Sequence, residues 1–247
     1  MRIELGTTDQ NAAKKFYTSL FGWQVDDQPM GPSDFYTMFK LQGRDVGAGY
    51  TLTPEMKGVP PHWIVYIAVE NADASAKRVA DLGGKVCKPP FDVFDAGRMA
   101  VLQDPTGATF CIWQAKKNSG IGIAGVDGTL CWADLNTLDR EKAGKFYSRL
   151  FGWEIMKEDE EPTHAYYHIK NGEEFIGGMP PPRPMGKVPP HWLIYILTHD
   201  CDKYAAKAKQ LGAKFLMEPM TMENVGRFGV LADPQGAAFA IFQPKQR

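Results

Sequence analysis

Side chains able to do proton and metal chemistry recur in this 247-residue chain as matched pairs: the acids Glu4 and Asp134, the imidazoles His62 and His191, and the phenols Tyr66 and Tyr195. A carboxylate near an imidazole can ligate a cation or serve as general acid and base close to neutrality. Each type also has a plainer use. A His that closes a Pro-Pro-His loop can hydrogen-bond the backbone, and a strand-end Tyr is usually a core or rim residue. The acids are harder to dismiss, because an unpaired carboxylate away from water is costly. Arg98 and Arg227, in neighbouring turns, are their candidate partners. His164, His168 and His199 have no matching histidine and read as surface or incidental residues. No residue is singled out as catalytic.

The matching reflects a duplication. Thr8-Asp9 through Phe16-Tyr17 to Leu20-Phe21-Gly22-Trp23 recurs 130 positions on as Leu138-Asp139 through Phe146-Tyr147 to Leu150-Phe151-Gly152-Trp153. At an offset of 129, Val59-Pro60-Pro61-His62-Trp63 reappears as Val188-Pro189-Pro190-His191-Trp192, and Asp104-Pro105-Thr106-Gly107 as Asp233-Pro234-Gln235-Gly236. Residues 116–127 (KKNSGIGIAGVD) are Gly-rich and polar and read as a connector between domains at 1–115 and 128–247.

These pairs must be positioned by strands and helices of regular order. Asp9 is a plausible N-cap for a helix to about Leu20, closed by Gly22. Asn71 starts a second helix whose Ala72, Ala76, Val79 and Leu82 share a face, and Cys201, Ala205, Ala208 and Leu211 repeat that face in the other copy. Hairpin signals at Gln42-Gly43 and Asn171-Gly172, with the DPxG turns, complete four β-α-β-β-β units, two per copy. The Met-rich stretches 217–222 and 179–185 read as loops, and Trp23, Trp63, Trp153 and Trp192 as buried residues.

Composition narrows the partner. With 28 Lys and Arg against 29 Asp and Glu, and no run of one sign, the chain lacks the footprint of a nucleic-acid or anionic-membrane binder. No segment has signal-peptide or membrane-span character, so the chain reads as cytoplasmic. Cys87, Cys111, Cys131 and Cys201 occur singly, which indicates no zinc site or disulfide framework and suggests small apolar core residues.

The D-x6-FY-x2-LFGW motif, the helix ending in LGGK or LGAK and the strand-DPxG-strand close resemble the vicinal oxygen chelate superfamily of glyoxalases, bleomycin-resistance proteins and extradiol dioxygenases. More narrowly, the chain is similar to the two-domain glyoxalase-like antigens of mycobacterial culture filtrates. The resemblance implies an α+β fold of two tandem domains, each with paired units curling their mixed strands into a cup with helices outside. A small ligand or a divalent metal occupies the cup in that family. The family's metal-ligand positions fall here on Arg2 and Trp132, on Gly47-Ala48-Gly49 and Gly177-Gly178, on Ile64 and Leu193, and on Cys111 and Ala240. Only Cys111 carries a donor side chain suited to a cation.

Strand alternation sends Ile3 and Leu5 to the apolar helix layer and leaves Arg2 and Glu4 on the opposite face, with Trp132 and Asp134 as their copies. The resemblance adds His62, Tyr66, Cys111 and Trp113, then His191, Tyr195 and Phe242, to the cup-facing set. Trp113, Trp132 and Phe242 would line a pocket for a flat hydrophobic molecule. These residues are the candidate ligand-binding set. The expectation is a protein, monomeric as an internal pseudo-dimer or homodimeric, that binds a small organic molecule without a metal or other cofactor. The alternative is a metal-dependent lyase or extradiol-type dioxygenase with displaced ligands, and a third reading makes the duplicated fold a non-catalytic interaction scaffold.

Overall fold

The computed structural model describes residues 2–31, 34–157, 165–184, 186 and 188–245. The first copy runs β1 (Arg2–Thr7), α1 (Gln10–Phe21), β2 (Gln24–Pro29), β3 (Phe35–Leu41), β4 (Arg44–Thr51), β5 (His62–Ala68), α2 (Ala72–Asp81), β6 (Lys85–Val93), β7 (Gly97–Gln103) and β8 (Thr109–Ala115). The second runs β9 (Leu130–Asn136), α3 (Arg140–Phe151), β10 (Glu154–Lys157), β11 (Tyr167–Asn171), β12 (Glu174–Met179), β13 (His191–Leu197), α4 (Cys201–Gln210), β14 (Lys214–Met222), β15 (Gly226–Ala232) and β16 (Ala238–Pro244). That is β-α-β-β-β four times over. The strands form two eight-stranded mixed sheets, ordered β2-β3-β4-β1-β5-β8-β7-β6 and β10-β11-β12-β9-β13-β16-β15-β14. No described helix is long and apolar enough to cross a membrane.

Local chemistry sets the helix limits. Asp9 accepts from the Ala12 amide at 2.9 Å, and Gly22 closes α1 in the left-handed region at φ 73°. Asn71, Asp139 and Asp200 cap the other helices in the same way. The predicted faces are buried: Ala72, Ala76 and Val79 in α2, and Cys201, Ala205 and Ala208 in α4. Burial pushes the Cys201 thiol up to about 11 and Cys131 to about 12, so neither is poised as a thiolate. Cys87 departs from the expectation, being exposed on β6.

The stretch 217–222 is also not a loop. It belongs to β14, which lies at the edge of its sheet, where a proline is tolerated. The pairing with β15 shifts register between Met217 and Met220, around that proline. In 179–185, Met179 ends β12 and residues 180–184 have no regular structure, while Met185, like His164, lies outside the described residues.

The chain divides into two compact units, and neither is a continuous half. One comprises Val65–Ser119 and Trp132–Leu193, the other Arg2–Ile64, Gly120–Cys131 and Ile194–Arg247. The repeated motifs meet within each unit. In the second, Trp63 Nε1 donates to Tyr17 Oη at 2.9 Å, and Tyr17 donates to Asp233 Oδ2 at 2.9 Å. Asp233 Oδ1 accepts from the amides of Gln235, Gly236 and Ala237 at 2.8 to 3.0 Å. In the first unit, Trp192, Tyr147 and Asp104 repeat this arrangement at 3.1 and 3.0 Å. A helix tyrosine of each copy is thus bonded to the turn aspartate of the other. All four tryptophans of these motifs are buried, with 3 to 5% exposure. Burial, reinforced by the adjacent aspartate, holds Tyr17 and Tyr147 well above the ordinary phenol range.

Candidate functional site

In β1, Ile3 and Leu5 are fully buried in the core, which turns Arg2 and Glu4 to the other face. That face is not bare: Arg2 and Glu4 are 7% and 8% exposed. Tyr36, on β3, explains how. Its hydroxyl accepts from Arg2 Nη2 and donates to Glu4 Oε2, while the guanidinium and carboxylate stand 3.8 Å apart. The phenol is pushed well above its ordinary range by burial first and the Glu4 charge second. A neutral phenol is therefore wedged between two charged groups, and it donates towards the carboxylate.

The second copy rebuilds the cluster with different chemistry. Tyr166 donates to Asp134 Oδ1, and Trp132 Nε1 points at both, 2.8 Å from Tyr166 Oη and 3.0 Å from Asp134 Oδ1. The acid and the phenol are kept, whereas the cation of the first copy is replaced by an indole. His168, read from sequence as incidental, lies beside this cluster, its ring centre 4.9 Å from Tyr166 and 6.0 Å from Trp132. Sequence reasoning also missed Tyr36 and Tyr166, although their common offset of 130 was a usable signal.

Arg98 and Arg227 do not serve the acids. Arg98 Nε is 2.8 Å from Asp73 and Arg227 Nη2 is 2.8 Å from Asp202, each held by the first turn of the helix in its own unit. The histidines follow the plainer alternative, with Nδ1 of His62 2.8 Å from the Pro60 carbonyl and Nδ1 of His191 2.9 Å from that of Pro189. His62 nonetheless lies close to β1: a Cβ on Gly6 would stand 3.0 Å from its Cε1 and 3.1 Å from Tyr50 Oη. His199 pairs with the linker residue Asp127 at 2.8 Å.

The remaining candidates lie deeper or elsewhere. Tyr66 is 3% exposed, contacts Met99 Sδ at 3.8 Å and packs edge-on against Trp113. Trp113 Nε1 donates to the Asn118 carbonyl, and Cys111 is buried beside Tyr66 in the ladder. Tyr195 and Phe242 are half-buried, Tyr195 lying 6.1 Å from Phe228.

The side chains at the expected metal positions do not fit a divalent cation. Arg2 is a cation, and Ile64, Leu193 and Ala240 have no donor. Among the described residues no group of three or more His, Cys, Asp or Glu side chains is gathered to hold a metal ion. Each acid's named oxygen is instead engaged by a phenol.

Removing that phenol should be measurable. Tyr36→Phe leaves Glu4 buried without its hydroxyl donor and is expected to cost about 1–2 kcal/mol, a fall of several degrees in Tm. Thermal denaturation checks it, and an unchanged Tm would show that water replaces the hydroxyl without loss.

Comparison with known proteins supports a common origin for both copies. Residues 2–112 and 129–241 each match the family model described as Glyoxalase/Bleomycin resistance protein/Dioxygenase superfamily. "Putative glyoxylase CFP32" of Mycobacterium tuberculosis is 43% identical over 98% of this chain and 93% of its own length. "Anthracycline biosynthesis protein DnrV" of Streptomyces peucetius is 33% identical over 99% and 92%. Among solved structures, the Mn(II)-bound glyoxalase from Novosphingobium aromaticivorans superposes with a TM-score of 0.67 at 17% identity, covering 98% of this chain and 80% of that one, a likeness of fold. The duplicated motifs, the four β-α-β-β-β units and these matches together show that the chain belongs to the glyoxalase/bleomycin resistance protein/dioxygenase superfamily.

Proposed function

We propose that this protein binds a small organic molecule on the sheet faces carrying the two acid–phenol clusters, without the divalent metal that serves the superfamily's enzymes. The observation that carries the reading is the engagement of both first-strand acids. Glu4 is held by Tyr36 and Arg2, and Asp134 by Tyr166 and Trp132. Their phenol and carboxylate oxygens can accept further hydrogen bonds from a polar ligand, whereas a metal ion would have to displace the phenols to reach the acids. The similarity to a protein named for anthracycline biosynthesis supports an organic ligand with polar and aromatic parts.

The test combines elemental analysis of untagged protein with titration of an anthracycline, followed by tryptophan fluorescence before and after treatment with a chelator. Metal is expected far below one equivalent, with binding unaffected by chelation. A stoichiometric metal that resists dialysis, and whose removal abolishes binding, would overturn the proposal in favour of a metal-dependent lyase or dioxygenase.

A further inference from the structure

The two copies differ sharply at one spot. Trp132 stands where the first copy has Arg2, His168 where it has Met38, and Phe175 where it has Asp45. The ladders fix the equivalence, since Lys40 faces Asp45 as Lys170 faces Phe175, and Met38 faces Ala48 as His168 faces Gly178. The three replacements gather rings. From the His168 ring centre it is 6.0 Å to Trp132, 4.9 Å to Tyr166 and 5.2 Å to Phe175, each pair steeply inclined.

These rings are not core. Phe175 is 50% exposed, and Trp132, Tyr166 and His168 are half-buried. Behind them lies the Asp134 carboxylate, oriented by Trp132 and Tyr166. Aromatic faces carry negative potential and the carboxylate adds a full charge, so the surroundings favour a weakly hydrated organic cation. Lys170 Nζ stands at the rim, 5.6 Å from the Phe175 ring centre, with its charge balanced by Glu154 and Glu173 at 4.0 and 3.8 Å. At the matching place in the first copy the Arg2 guanidinium would repel such a group.

Building on the small-molecule reading above, we infer that the Trp132–Asp134–Tyr166–His168–Phe175 cluster is a site for an alkylammonium group. The cation rests against the rings and is neutralised by Asp134. The first-copy cluster, with Arg2, rejects it.

The experiment titrates the whole protein with choline and with its neutral analogue, in which a tert-butyl group replaces the trimethylammonium. Affinities are read by isothermal titration calorimetry in every variant, and the site by the indole Nε1–H NMR signal of Trp132 in the parent protein, assigned by its loss in Trp132→Phe. Choline is expected to shift that signal and to bind at least about ten-fold more tightly than the analogue. Trp132→Arg, which imports the first copy's cation, and the surface change Phe175→Leu, which removes a ring without adding charge, are each expected to weaken choline binding about ten-fold or more. Equal affinity for the two probes would overturn the cation assignment and leave small-molecule binding standing. Choline binding that survives both substitutions, or no response to choline, would overturn the site. The anthracycline titration decides the wider reading separately.

Discussion

Asp233→Ala is expected to lower the unfolding free energy by about 3–5 kcal/mol, and Asp104→Ala by a similar amount. Asp233 is 2% exposed and serves two structures at once. One oxygen gathers the amides of Gln235, Gly236 and Ala237, and the other accepts from Tyr17, whose hydroxyl in turn accepts from Trp63. Truncation leaves several buried donors unmet and a cavity beside them. Tyr17→Phe removes one bond and keeps the turn, so about 1–2 kcal/mol is expected. Urea denaturation ranks the two, and a loss below about 1 kcal/mol for Asp233→Ala would show that the turn stands without its carboxylate.

The same residue gives a pH signature. Burial raises the Asp233 carboxyl above its ordinary value, and the turn amides and Tyr17 only partly offset this. The folded state therefore holds this proton more tightly than the unfolded chain. The associated stability is present below the unfolded aspartate value and is lost as pH rises through the folded one. Asp233→Asn, which cannot titrate, should gain on the parent protein across that interval.

These networks explain why so much of the fold was legible. FY, PPHW and DPxG repeat because each supplies one member of a Trp–Tyr–Asp chain, and a repeat of three polar or amphipathic groups survives as a readable pattern. The caps Asp9 and Asn71 were equally legible, since each acts within four residues of its own position. What spacing alone could not show is that Tyr17 is served by Asp233 and not by Asp104 of its own copy. The two aspartates are chemically identical, and only long-range packing chooses between them.

The candidate site was half legible for a related reason. Alternation separated Arg2 and Glu4 from Ile3 and Leu5, because a period of two is local. Charge complementarity alone makes Arg98 and Arg227 the candidate partners of the two acids. For Glu4 the structure uses a neutral phenol from β3, 32 residues away, and spends Arg98 on Asp73. His168 reads as incidental in the sequence because it has no histidine twin. Divergence between copies, more than repetition, marks that place.

Gly178→Ala is expected to dismantle the second-copy cluster. A Cβ there would lie 2.1 Å from Tyr166 Oη and 2.3 Å from two of its ring carbons. The first copy carries Ala48 at the matching register position, opposite Glu4 as Gly178 is opposite Asp134, and tolerates it with no exposure. The difference is therefore a property of how Tyr166 lies across the strand. The ring must be expelled, which costs about 1–3 kcal/mol of overpacking strain. Its hydroxyl then leaves Asp134, so the indole of Trp132 loses one of its two acceptors. Ligand affinity at this cluster should fall about ten-fold or more, whereas the Arg2–Tyr36–Glu4 cluster should be unaffected. A double-mutant cycle separates this mechanism from general damage to β12. If the clash with the phenol is the cause, Tyr166→Ala made in the Gly178→Ala protein should cost far less than Tyr166→Ala made alone. Strict additivity of the two losses, with Trp132 fluorescence unchanged by Gly178→Ala, would mean that the strand absorbs the methyl group and that Tyr166 stays where it is.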